Sequence, residues 1–129
     1  MPIARPSNAF EQWQLQHCSP TERRSITGMI QDLNSYGLAR KDPDLKKLKQ
    51  DHPLSGPHGV RINVFVMQQR ISASLGRAPP MWFGVVEVAA GPASLVGRLL
   101  VLKGWKSDPG IVLVAVEMEL IVLAQRELP

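Results

Sequence analysis

The chain has 129 residues, 44% of them apolar and 20% charged, with a formal net charge of +4. That length suits a single domain spanning 1–129 with its own core. The lone Cys18 excludes an intrachain disulfide, and the most apolar run, Ile111–Ala124, is too short to cross a bilayer and carries Glu117 and Glu119. The opening "MPIARPSNAF" lacks the apolar core of a signal peptide, so the expected setting is a reducing cytoplasm.

Taken in chain order, a short helix is expected over about residues 8–17, with Phe10 and Trp13 facing inward. The next signal is local and complete. Ser19 caps, Pro20 opens and Glu22 closes a capping box. Ile26, Met29, Ile30 and Leu33 then share one face, and Gly37 ends the helix. A second helix start is read at Asp42 and Pro43. It places Leu45 and Leu48 inward and Lys46, Lys47 and Lys49 outward, and ends before Pro53.

From Val60 the period changes to two. Val60, Ile62, Val64 and Val66 alternate with Arg61, Asn63, Phe65 and Met67, which predicts a strand. "MWFGVVEV" and "LVGRLLVLK" predict two more, separated by the turn-like "AAGPAS". After the turn "KSDPG", the tail is rich in β-branched residues. Its first half is read as a strand and its second half is left open. The sum is an α+β fold: N-terminal helices packed on a small, mostly antiparallel sheet, whose other face is partly open.

The charge is uneven. Residues 1–77 hold eleven Lys and Arg against six Asp and Glu, and residues 78–129 hold four against five. The three histidines, His17, His52 and His58, lack ligand spacing, and Cys18 has no CxxC partner, so no metal or other cofactor is expected. Cys18 near a helix start is a weak nucleophile candidate, more simply a small filler. Glu117 and Glu119, two apart on an expected strand, would share a face as a solvated edge. What remains is a basic set: Arg40, Lys41, Lys46, Lys47, Lys49, Arg61, Lys103 and Lys106, with Trp105 among them. Such side chains hold phosphates and stabilise developing charge, and an aromatic neighbour stacks on an unpaired base. On composition alone, a charged helix flank and one buried tryptophan account for the same residues.

The order of "SPTERRSITGMIQDLNSYGLA", "PDLKKLK" and "VRINVFV", followed later by "KGWK" and "VEMELIVLAQREL", resembles the RelE/HigB-type toxins, in particular their phage-derived branch. The likeness covers about residues 10–66 and, more loosely, 99–128. It implies a closing helix in the tail. It also implies a metal-independent endoribonuclease that cuts mRNA on the ribosome and is neutralised by a cognate antitoxin protein. By that resemblance Lys46, Lys49 and Arg61 would be catalytic, and the intervening loop "HPLSGPHG" reads as flexible enough to bring Lys49 and Arg61 together. Lys47, Arg40, Lys41, Trp105 and Lys106 would hold RNA. The competing expectations are a non-enzymatic basic α+β module that binds nucleic acid or a protein partner, and an oligomeric phage-accessory protein.

Overall fold

In the computed structural model, residues 4–39, 42–69 and 81–128 are described. Strand β1 (Ala4–Pro6) leads into helices α1 (Asn8–His17) and α2 (Pro20–Tyr36). Strands β2 (Leu45–Pro53), β3 (Arg61–Gln69), β4 (Met81–Ala90) and β5 (Leu99–Trp105) follow, and helix α3 (Leu113–Glu127) closes the chain. The five strands form one sheet in the order β1-β5-β4-β3-β2. All pairings are antiparallel except β1 with β5. The fold is therefore α+β, as the patterning predicts. No helix among the described residues is long and apolar enough to cross a membrane.

The sheet has an apolar layer on each side. On one side, Phe10 of α1 and Ile26, Met29 and Leu33 of α2 pack with Met81, Phe83, Val85, Leu99 and Val101. On the other, Val116, Leu120 and Ala124 of α3 pack with Val60, Ile62, Val64, Val66, Val86 and Leu100. The row Val60, Ile62, Val64 and Val66 read in β3 is buried as a set, and Phe65 on the opposite face is buried as well. The capping box of α2 forms as expected: the Glu22 N–H donates to Ser19 Oγ at 3.2 Å, and the Ser19 N–H donates to Glu22 Oε1 at 2.8 Å.

Two sequence expectations fail. The segment after Asp42 is strand β2, not a helix. Asp42 does organise a turn, accepting from the Asp44 N–H at 2.9 Å. Nine residues, however, make a marginal helix alone, whereas pairing with β3 satisfies their backbone. Register shifts between Lys47 and Lys49 and between Lys49 and His52 break the alternation, and this made the segment look helical. Leu45 and Leu48, three apart, lie on opposite faces. Leu45 stands across from Met67 on the α1/α2 side, and Leu48 packs into the α3 layer.

The second failure is the first half of the tail, where a strand is expected: helix α3 runs from Leu113 to Glu127 and takes in the second half that the residues leave open. Its buried residues fall at four-residue spacing, Val116, Leu120 and Ala124. β-branched residues lower helix propensity only slightly, and burial against a sheet overrides it. This helix also covers the sheet face that the sequence left open.

Glu22 links the capping box to β5, because Lys106 Nζ donates to the same Oε1 at 3.0 Å. Burial pushes the Glu22 carboxyl up. The hydrogen bonds from the Ser19 backbone and from Lys106 outweigh that and hold it below its ordinary value. A depressed carboxylate stabilises the fold above its unfolded pKa, and that contribution is lost as pH falls through the folded value. Acidification below about pH 4 should therefore remove stability in wild type, while Glu22→Gln flattens that limb of a melting-temperature profile. Equal acid limbs in the two proteins would assign the effect to other carboxylates.

Candidate nucleic-acid interface

β2 is the last strand of the sheet, so its outer row of N–H and C=O groups has no neighbouring strand among the described residues. Unprotected edges recruit other chains. Lysines, bulges and proline discourage this, and β2 carries Lys46, Lys47 and Lys49, two register shifts and Pro53. Edge protection is thus a sufficient reason for the lysine-rich stretch. The same side chains are all exposed, and none has an ion-pair partner among the described residues.

The lysines diverge. Lys46 is opposite Val66, and its ammonium lies 5.6 Å from the Trp82 ring centre on the α3 side. Lys47 is opposite Phe65, 5.9 Å from that ring on the other side, and donates to Gln50 Oε1. Lys49 sits between the two register shifts, opposite Val64. Arg61 stands opposite Pro53, three residues from Val64 along β3, roughly 10 Å away.

The loop between them does not draw Lys49 and Arg61 together. It is pinned to α3: the Ser55 N–H donates to Gln125 Oε1 at 2.8 Å, and Gln125 Nε2 donates to Ser55 O at 2.7 Å. Arg61 turns to Asp51 instead. Its Nε donates to Asp51 Oδ1, and its second guanidinium nitrogen donates to the Asp51 carbonyl, both at 2.6 Å. Asp51 has a φ of +55°, and its N–H donates to Asn63 Oδ1 at 2.9 Å. A residue in that strained conformation needs such support. Arg61 and Asn63 hold the irregular part of β2 in place.

At the far end of the sheet, Trp105 is the register partner of Trp82, and the Lys103 ammonium lies 5.3 Å from the Trp105 ring centre. Lys103 is also paired with Glu119 of α3, and Lys106 with Glu22 of α2. Arg61, Lys103 and Lys106 therefore each have an acid. Glu117 and Glu119 lie on a helix, about 200° apart in direction, so the expected shared face does not form. Arg40 and Lys41 lie outside the described residues.

Trp82 was not among the residues singled out in the sequence. It is buried, lies beneath Lys46, and its indole N–H finds no acceptor among the described residues. No sequence signal marks it, because its neighbours come from β2 and β5. Cys18 is not an activated thiol: burial pushes it up, Glu22 adds to that, and Lys106 and Arg23 offset it only in part. No group of three or more His, Cys, Asp or Glu among the described residues could hold a metal ion.

Comparison with models of known protein families, with characterised proteins and with solved structures returns no match.

Proposed function

We propose that the protein binds single-stranded RNA, with the lysines of β2 taking the backbone phosphates. The observation that carries this reading is the contrast in pairing. Lys46, Lys47 and Lys49 are exposed on one edge and hold no ion pair among the described residues, whereas the other described candidate cations are each held by an acid. Ammonium groups without carboxylate partners are available to phosphates without first breaking an internal contact. Lysines on both faces of a strand suit a flexible single strand that wraps the edge better than a flat duplex.

The second reading is the endoribonuclease, and element order supports it. α2, the lysine-bearing β2, Arg61 on β3, "KGWK" at the end of β5 and the closing α3 follow one another as the toxin resemblance implies. In that reading Arg61 must leave Asp51 to reach a phosphate.

One experiment addresses both. Binding of a fluorescent single-stranded RNA is measured over a salt series in metal chelator, and the RNA is then sized. Wild type should bind with a steep salt dependence. The variant with Lys46, Lys47 and Lys49 all changed to Ala should flatten the log–log slope by about 2, at about 0.7 per phosphate contact. An unchanged slope would leave the lysines as edge protection only. Shortened RNA in parallel wild-type samples that hold assembled ribosomes in magnesium buffer without chelator would favour the nuclease; intact RNA there would count against it.

A further inference from the structure

We propose that the protein self-associates through the outer face of α3, two copies laying this helix antiparallel on one another. A helix docked on a sheet ordinarily shows solvent a polar face. α2 does so: Arg24, Thr27, Gln31 and Ser35, at three- and four-residue spacing, are its exposed outer row. The equivalent row of α3 is Val114, Met118 and Val122, which are 72%, 64% and 49% exposed. At about 100° per residue, Val114 and Val122 lie about 40° to either side of Met118, and Ala115 and Ile121 about 60°. Gln125 is the one polar residue of α3 in that sector, and its amide is committed to Ser55. Val116, Leu120 and Ala124 point the opposite way, into the sheet. α3 thus carries two apolar faces, and a single copy buries one.

The flanks of the stripe select the occupant. Glu117 borders it on one side, and Glu119 and Arg126 border it on the other, about 100° and 80° from Met118. A helix that lies on a lipid surface carries Lys and Arg in those places rather than two glutamates. A second copy of the chain fits. In an antiparallel pair related by a two-fold axis, like flanks meet, so the Glu119 and Arg126 side of one copy faces the same side of the other. With the axis level with Leu120, Met118 of each copy meets Val122 of the other, and Arg126 reaches across to Glu119. Arg126 is exposed and holds no ion pair among the described residues, while Glu119 gives Oε1 to Lys103 and keeps its second oxygen. A parallel pair would set Glu119 against Glu117 of the other copy and align the helix dipoles unfavourably. The stripe offers roughly 400 Å² per copy, about half the share of a standard interface, so the dimer is weak and reversible, with a Kd on the order of 100 μM.

Sedimentation equilibrium over about 5–500 μM should show the weight-average mass rising towards twice that of one chain, in reducing agent so that Cys18 forms no bridge. Val114→Lys and Met118→Lys, each at an exposed position, should weaken association at least about tenfold and leave the melting temperature of the dilute protein within about 2 °C of wild type. Arg126→Glu should weaken it about fivefold, because like charges then face each other across the antiparallel contact. The variant with Lys46, Lys47 and Lys49 all changed to Ala should associate as wild type does, which separates this face from RNA binding at β2. The proposal fails if wild type stays monomeric to the top of the range, which would leave the stripe to a different partner. It also fails if both lysine variants or Arg126→Glu associate undiminished, or if only the β2 variant loses association.

Discussion

Leu120→Ala is expected to destabilise the protein by about 2–5 kcal/mol, because the side chain is fully buried and α3 cannot easily collapse onto the sheet behind it. What makes this contact unusual is the residue beneath it. Gly84 of β4 has no side chain, and Leu120 occupies the space that one would fill. A Cβ at Gly84 would overlap Leu120 Cδ2 and come within 2.7 Å of Cδ1. Leu120 is enclosed on all sides, so Gly84→Ala should lift the helix locally and cost about 1–3 kcal/mol.

The two changes should not add. In the Leu120→Ala protein the new methyl enters the space that the leucine has vacated. Gly84→Ala should therefore cost at least about 1 kcal/mol less there than in wild type. Denaturant unfolding of the four proteins measures the coupling. Equal costs for Gly84→Ala in both backgrounds would show that the helix does not rest on this glycine.

Phe10→Ala should cost about 3–5 kcal/mol. Phe10 is the one fully buried residue of α1, and the half-buried Trp13 is the helix's other apolar contact with the sheet. Its ring stacks on Trp13 with centroids 5.7 Å apart and meets the edge of Phe83 at 5.8 Å. Trp13 in turn lies over Gly104, where an added Cβ would fall 2.5 Å from the indole. Without the Phe10 ring, α1 keeps its Ser7 cap, because the bond to Ser7 Oγ comes from the backbone N–H, but it loses its anchor to the sheet. Amide exchange in residues 8–17 should then accelerate more than in α2. Phe10→Leu retains most of the apolar volume and should cost less than half as much. A loss below about 1 kcal/mol for Phe10→Ala would mean that α1 contributes little to the fold.

Elements whose signals are local were legible from the residues alone. The start of α2 is written in Ser19, Pro20 and Glu22, three residues that act on one another directly. β3 follows from the period of two in Val60, Ile62, Val64 and Val66, all of them buried. For these segments the side chains that decide the conformation lie within one turn or one pleat of each other, so no distant partner is needed.

β2, α3 and the site depend on contacts between distant parts of the chain. In β2 the pleat puts Leu45 and Leu48 on different faces, and the register shift after Lys47 sets Lys49 opposite Val64, on the same side as Lys46 opposite Val66, a placement that exists only once β3 is paired beside it. In α3, β-branched residues favour a strand weakly, and the gain from burying Val116, Leu120 and Ala124 against the sheet is larger. The basic residues were legible as residues but not as a site. Which cations are open and which are held depends on carboxylates that arrive from elsewhere in the fold: Asp51 on β2 for Arg61, Glu119 on α3 for Lys103, and Glu22 on α2 for Lys106. Lys106 and Glu22 are 84 residues apart, and a contact at that separation is set by the order of strands and the docking of helices rather than by any local pattern.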